Sequence, residues 1–439
     1  MKPIKWSRFV IPVNAETYTV LFNSVSRGIY IIENDVKQQI DEYIDNQTLL
    51  LDDTKKIISK LYQQEFIVLA EFNEIESFKT YRYTYYNKIF GTVLYILPTL
   101  RCNFVCPYCI QSEYIDEDST EIQEKTIDKL VEWVVSFAQT NKSEIIDSMT
   151  LNKEANTIKL VFFGGEPTLL NDKNYKIIDR LKERLPEWLN LSFTIITNGF
   201  KISNETILEY KKRGLTGFQI TLDGPADIHN VRRTTKDSSP SFDDILGTIK
   251  RSVALGVNVA VRINVDESNV DSIEQLIDIL AANQLDGNVH LNIAPVDKSS
   301  SDAEIDGHTI GVLHKFHTIF RKALFSNFTI SLWESFCGVY ARSFFAVAPD
   351  GDLFKCPSLL EKRHKVGSVF DADVNTHYHE IINHQLSDIC MECSYVGLCG
   401  GGCYNQNTMN NGLVCQKNTF VPLVDAYCRS MGEYIRRTI

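Results

Sequence analysis

Hydrophobic positions change rhythm twice along the chain. Over residues 1–92 short β-type runs come first: RFVIPV, YTVLFNS and GIYII, rich in Val, Ile, Phe and Tyr. Two amphipathic segments follow, NDVKQQIDEYIDN and DDTKKIISKLYQQE, the second opened by Asp, a helix-start signal. FIVLAEF closes the unit. Strands, then helices, then a strand predict a small, separate winged-helix-like module, joined to the rest through SFKTYRYTYYNKIF.

From residue 93 to about 300 the rhythm is regular. VLYILPTL, IKLVFFG, LSFTIIT, GFQITL, VNVAVRINV and VHLNIAP alternate with helical segments such as STEIQEKTIDKLVEWVVSFAQ and VDSIEQLIDILAANQ. Continuous apolar strands between amphipathic helices predict a parallel sheet with helices outside. Six such units predict an α/β fold, an open partial (β/α)6 barrel, whose site lies at the carboxyl ends of the strands. HTIGVLHKFHTIFRKALFS predicts a helical bridge over 301–329, and residues 330–439 read as a loop-rich tail with little core of its own.

Composition narrows the chemistry. The net charge of −11 disfavours a general nucleic-acid binder. No apolar run of about 18 residues predicts a membrane span. The N-terminal residues carry charges and Pro where a signal peptide needs an apolar stretch. A cytoplasmic setting is expected, where thiols stay reduced. Eleven cysteines there read as metal ligands rather than disulfides. Free cysteines are often inert core residues, but these are clustered: eight lie beyond residue 330 and the other three in RCNFVCPYCIQ.

Cys102, Cys106 and Cys109 form C-x3-C-x2-C directly after the first barrel strand. Three thiolates in one loop can hold three corners of a four-iron cube and leave one iron open. Zinc with a distant fourth ligand is the alternative. FFGGEP ends the second strand with Gly164, Gly165 and Glu166, where paired glycines allow close backbone approach. TNGF, with Thr197 and Asn198, ends the third strand; TLDGP, with Thr221, ends the fourth; RINV, with Asn264, lies on the fifth.

At these points the sequence resembles the radical S-adenosylmethionine (SAM) enzymes. Tyr108 fills that family's aromatic position before the third cysteine. The resemblance implies that the open iron chelates the amino and carboxylate groups of SAM, whose cleavage yields a 5′-deoxyadenosyl radical. It implies contacts to SAM from Gly164, Gly165 and Glu166 (ammonium), and from Thr197, Asn198, Thr221, Asn264 and Arg233 (ribose and carboxylate), with Arg232 an equally basic neighbour.

The tail adds a second signature. Cys337 is followed after thirteen residues by Gly351 and after four more by Cys356; Cys390, Cys393, Cys399 and Cys403 have the spacing C-x2-C-x5-C-x3-C, with Cys415 and Cys428 beyond. This string resembles the SPASM extension, which implies two auxiliary [4Fe–4S] clusters and three in all. Cys337, Cys356 and Cys403 would hold the inner one; Cys390, Cys393 and Cys399 the outer one, completed by Cys415 or Cys428, and either the cysteine left over completes the inner cluster or that cluster keeps an open iron. His364, His377, His379 and His384 read as solvated surface residues, and APDGDLF as a tight turn between strands.

Families with this pairing mostly modify peptides. Sulfatase maturases place an Asp after the second auxiliary cysteine, where this chain has Pro357, and the departure argues against that branch. Maturases of ribosomally made peptides often carry an N-terminal winged-helix domain that recognises a leader segment. The resemblance implies such a precursor peptide as partner and an external electron donor such as flavodoxin or ferredoxin. The expected reaction is an oxidative crosslink, first a carbon–carbon bond of the Lys–Trp type, then a Cys thioether. A non-catalytic Fe–S or zinc protein would use the same cysteines without needing the GGEP loop.

Overall fold

The computed structural model describes residues 2–46, 51–89, 91–114, 121–296, 307–330, 337–371 and 373–438. The N-terminal unit runs β1 (Ile4–Trp6), β2 (Val10–Asn14), β3 (Tyr18–Asn23), β4 (Ile29–Glu33), α1 (Asn34–Asn46), α2 (Asp52–Gln63) and β5 (Ile67–Leu69). β2, β3 and β4 form an antiparallel sheet, and β1 pairs with β5. Pro12, which lacks a ladder N–H, lies in the edge strand β2. The expected connector is helix α3 (Glu74–Asn87), opened by Asn73, whose side chain accepts the Glu76 N–H at 3.2 Å.

Six parallel strands follow in sequence order: β6 (Thr92–Ile96), β7 (Thr157–Phe162), β8 (Asn190–Thr197), β9 (Leu215–Thr221), β10 (Asn258–Val265) and β11 (Val289–Pro295). Between them run α4 (Glu124–Thr140), α5 (Lys142–Ser148), α6 (Asn171–Arg184), α7 (Asn204–Lys212), α8 (Ala226–Arg232), α9 (Phe242–Ala254) and α10 (Ile273–Ala282). In α4 the buried positions Ile127, Leu130, Val131, Val134 and Ala138 recur at helical spacing. They join Leu94, Leu160 and Phe162 of the strands in one core, each large side chain contributing about 1.5–3 kcal/mol by leaving water.

The other face of the sheet is different. Polar side chains there, including Lys159, Thr194, Gln219, Arg262, His290 and Asn292, stand among apolar ones such as Tyr95, Val161 and Ile196, and this face lines an open chamber of about 720 Å³. A closed eight-stranded barrel fills its interior with bulky side chains. The strands expected to be apolar on both faces are therefore mixed on this one.

Beyond the barrel come α11 (Gly307–Phe325), β12 (Thr329–Ile330), β13 (Phe344–Val347), β14 (Asp352–Phe354), β15 (Lys365–Ser368), α12 (Thr376–Ile382), α13 (Asp388–Met391), α14 (Val396–Cys399), α15 (Tyr404–Met409) and α16 (Lys417–Thr438). APDGDLF is the β13–β14 hairpin, with Gly351 at φ +91°. Residues 301–306 of the expected bridge, and Ser119–Thr120 of the first expected barrel helix, lie outside the described residues.

Three expectations need correction. Among the described residues the sheet has ten strands, because β12 extends it beside β11 and β13 pairs parallel with β6, carrying β14 and β15. The tail does have core: Val339, Tyr340, Phe345, Leu353, Val366 and Tyr378 belong to the main cluster. The N-terminal unit is not separate either. Ile11, Val13, Val20 and Phe22 pack against Val424 and Cys428 of α16, while Ser24 Oγ donates to Ser394 O at 2.5 Å and Arg27 Nη2 to Gly397 O at 2.9 Å.

Candidate active site

The three-cysteine loop leaves β6 and is laced to the segment after α8. Val105 N donates to Thr234 O at 2.8 Å and Lys236 N to Asn103 O at 2.9 Å. Burial, with the negative charge of Glu166 next, pushes the Cys102 thiol up to about 12, and Cys106 and Cys109 push in the same direction. Burial also raises Cys106, against the pull of Arg233. Thiols that resist ionisation this way are stabilised as thiolates by a shared cation. Among the described residues no three His, Cys, Asp or Glu side chains close to single-ion geometry; a cube spreads its thiolates to separate corners.

Gly164 and Gly165 pack against backbone. A Cβ on Gly165 would lie 2.0 Å from Arg101 O, and one on Gly164, at φ +122°, 2.5 Å from Thr99 O. Gly165 N donates to Thr99 O at 3.1 Å and Glu166 N to Arg101 O at 2.8 Å. The glycines let this loop lie against the cysteine loop's backbone. Glu166 is buried, and its carboxylate accepts from Thr168 N (3.0 Å), Thr168 Oγ1 (2.7 Å), Thr197 Oγ1 (2.7 Å) and Asn198 N (2.7 Å). With four donors engaged it is a latch between the ends of β7 and β8 rather than a free carboxylate. Asn198 extends the latch, donating through Nδ2 to Asn103 Oδ1 at 2.7 Å.

A second cluster sits across the loop. Tyr108 donates its hydroxyl proton to Asp223 and accepts from Arg233 Nη1 at 2.7 Å. Asp223, fully buried, also accepts Asn264 N at 2.9 Å. Asp223 lies in TLDGP but was not among the expected site residues; a carboxylate after a strand end is the signal that marks it. His229 accepts the Asp223 N–H at 3.3 Å, and burial with the two arginines lowers it to about 3, so it is neutral. The two arginines separate here. Arg232 pairs with Asp266 at 2.6 Å and lies 4.0 Å from Asp223; the Nε of each arginine is buried without a hydrogen bond, but Arg233 forms no ion pair among the described residues and spends Nη1 on the Tyr108 hydroxyl. Its orphan Nε fits an incoming carboxylate. Thr221 and Arg262 are register partners on the concave face.

In the tail, burial pushes Cys356 up to about 12, and the charges of Cys337 and Cys403 reinforce it, so these three face one space. Cys399 feels Cys390 and accepts the N–H of Gln416, next to Cys415. Cys428 is fully buried among Val20, Phe22, Leu398 and Val424, with Cys393 packed against the same cluster, whereas Cys415 is exposed. His364 is buried, not solvated as expected, and the His384 ring stacks on Tyr340 at 5.0 Å.

Residues 96–280 match the Radical SAM superfamily. The chain therefore carries a radical SAM domain over these residues. It is 25% identical over 248 residues to the radical SAM cyclopropyl synthase TigE of Paramaledivibacter caminithermalis, covering 52% of this chain and about half (49%) of that protein. It is 24% identical over 358 residues to the cysteine-type anaerobic sulfatase-maturating enzyme of Clostridium novyi, covering 72% and 90%. In fold it is similar to native anSMEcpe with bound AdoMet, at TM-score 0.59 and 16% identity over 78% of this chain and 96% of the other. Streptococcus suis SuiB bound to precursor peptide SuiA overlays at TM-score 0.53 and 14% identity, over 93% and 97%. The chain is thus related to peptide and sulfatase maturases. Among the described residues no helix is long and apolar enough to cross a membrane.

Proposed function

We propose that the chain modifies a ribosomally made peptide by hydrogen abstraction and oxidative crosslinking. One observation carries this reading: the strands that bring the cysteine loop, the Glu166 latch and the Tyr108–Asp223–Arg233 cluster together at their ends also line an open chamber of about 720 Å³. That volume is enough for a cofactor-sized ligand or a few peptide side chains.

Cys102, Cys106 and Cys109 would hold a [4Fe–4S] cluster, Arg233 the SAM carboxylate, and Thr221 and Asn264 the walls beside it. When bound, cluster and SAM supply a deoxyadenosyl radical. Glu166 and Asn198 would hold the cysteine loop in place through Arg101 O and Asn103. Cys337, Cys356 and Cys403 would hold an inner auxiliary cluster, and Cys390, Cys393 and Cys399 an outer one. Cys415 is its better fourth ligand, because Gln416 already bonds Cys399 while Cys428 is sealed in an apolar core.

The sulfatase-maturase reading keeps support from the 90% coverage of the Clostridium novyi enzyme. Against it, position 357 lies beside the cysteine loop, since Gln111 Nε2 donates to Pro357 O at 2.9 Å; proline there offers no base. SuiB, solved with a precursor peptide, matches over both the N-terminal unit and the tail, which supports a leader-bearing precursor as substrate, with flavodoxin or ferredoxin as donor. A carbon–carbon crosslink is the first product to seek and a thioether the second. The test is anaerobic incubation with SAM, reductant and the short peptide encoded beside the gene. A product lighter by two hydrogens supports crosslinking; a formylglycine product supports the sulfatase branch instead.

A further inference from the structure

Arg262 stands on the concave face of β10, in register with Thr221 on β9 and Asn292 on β11. Its guanidinium is fixed by two amide oxygens, Nε donating to Asn264 Oδ1 at 2.8 Å and Nη1 to Asn292 Oδ1 at 3.0 Å. Both partners are neutral, and Nη2 has no acceptor among the described residues. A guanidinium held this rigidly, part-buried and without a carboxylate, is organised for an anion.

The nearby charges do not satisfy it. Arg232 is paired with Asp266 at 2.6 Å, and Asp223 is engaged by the Tyr108 hydroxyl and by Asn264 N at 2.9 Å. The chamber itself is one-sided. Lys159, Arg262 and His290 line it with no Asp or Glu, although the chain carries 56 acidic residues against 45 basic ones. Lys159 forms no ion pair among the described residues. Cationic walls with no acid, in an acidic protein, focus a potential on negatively charged groups.

We propose that the chamber is a carboxylate subsite: Arg262 anchors an acidic group of the bound peptide, with Lys159 attracting it from the open end. The proposal rests on the peptide-maturase reading and adds the substrate's chemistry. The carboxylate has two possible sources, an Asp or Glu side chain or the peptide's C-terminus. The SAM carboxylate is the competing occupant, to be separated by experiment.

The probes are blocked pentapeptides, acetyl-Ala-Ala-X-Ala-Ala-amide with X as Asp, Glu, Asn, Gln or Ala, plus the X = Ala peptide with a free acid end. Their affinities for the reconstituted holoenzyme with SAM are read by ligand-detected NMR, on the native chain and on R262Q. The expected result is at least about tenfold tighter binding of one acidic peptide than of its amide isostere, lost in R262Q, with SAM affinity unchanged. Preference for the free acid end alone, also lost in R262Q, assigns the subsite to the chain terminus. No discrimination, or discrimination that survives R262Q, overturns the proposal, as does a tenfold loss of SAM affinity in R262Q. Deoxyadenosine formation without peptide is measured in parallel: its absence from the native holoenzyme counts against the maturase reading and leaves the binding result standing on its own.

Discussion

Arg233 Nη1 donates to the Tyr108 hydroxyl at 2.7 Å, tying the residue before the third cysteine to the segment that follows β9. Tyr108 in turn bonds Asp223. Arg232, one residue earlier, is instead committed to Asp266. The two neighbours should therefore fail differently. Arg233→Met is expected to weaken SAM binding by about tenfold or more, the loss of a charge-assisted contact, with iron content retained. Arg232→Met should mainly lower the melting temperature, because it strands a part-buried carboxylate. Equilibrium dialysis and thermal denaturation separate them.

Glycine 165 is held by backbone, not by ligand. Gly165→Ala would put a methyl 2.0 Å from Arg101 O, which neither chain segment can yield without moving the cysteine loop. A cost of about 2 kcal/mol or more is expected, together with reduced iron at the first site, read by denaturant midpoint and iron assay.

Glu166→Gln exchanges an acceptor of four donors for an amide that brings donors of its own. Asn198 N or Thr168 N then faces an N–H. A loss of about 2–3 kcal/mol is expected, and urea unfolding of the cluster-free chain measures it without any contribution from iron.

The outer cysteines give a clean contrast. Three clusters hold about twelve irons. Cys415→Ala should lower iron content and alter the spectrum of one cluster, whereas Cys428→Val, in the apolar core of α16, should leave iron unchanged. The reverse pattern would move the fourth ligand to Cys428.

His229 carries a pH signature. Its folded pKa of about 3 lies below the ordinary 6.5, so the unfolded chain binds its proton first. Its contribution to stability is complete above 6.5 and is lost as pH falls toward 3, at up to about 1.4 kcal/mol per unit. His229→Gln should flatten the fall in urea midpoint between pH 6.5 and 5.

The legible parts of this protein were those written in local pattern. Alternating strands and helices gave the six parallel strands in order, while the grouping of Cys337, Cys356 and Cys403 came from the resemblance to the SPASM extension and not from spacing. What was not legible depends on pairing across distance. β13 joins β6 through residues some 250 apart, which no local period reveals. The burial of β3 against α16 likewise needs both partners, so the N-terminal unit read as separate. Asp223 was legible as a carboxylate just after a strand end, whereas Arg262, a single charge within an apolar strand, carries no signal until its neighbours Asn264 and Asn292 are known.

The central claim is that Cys102, Cys106 and Cys109 hold a cluster with an open iron for SAM. It is tested most directly by anaerobic reconstitution of the native chain and of Cys102→Ala, followed by chromatography for 5′-deoxyadenosine after adding SAM and dithionite. The account predicts deoxyadenosine from the native chain and none from the variant, while the tail's iron stays bound in both. Equal amounts from both, or none from a fully loaded native chain, would contradict it.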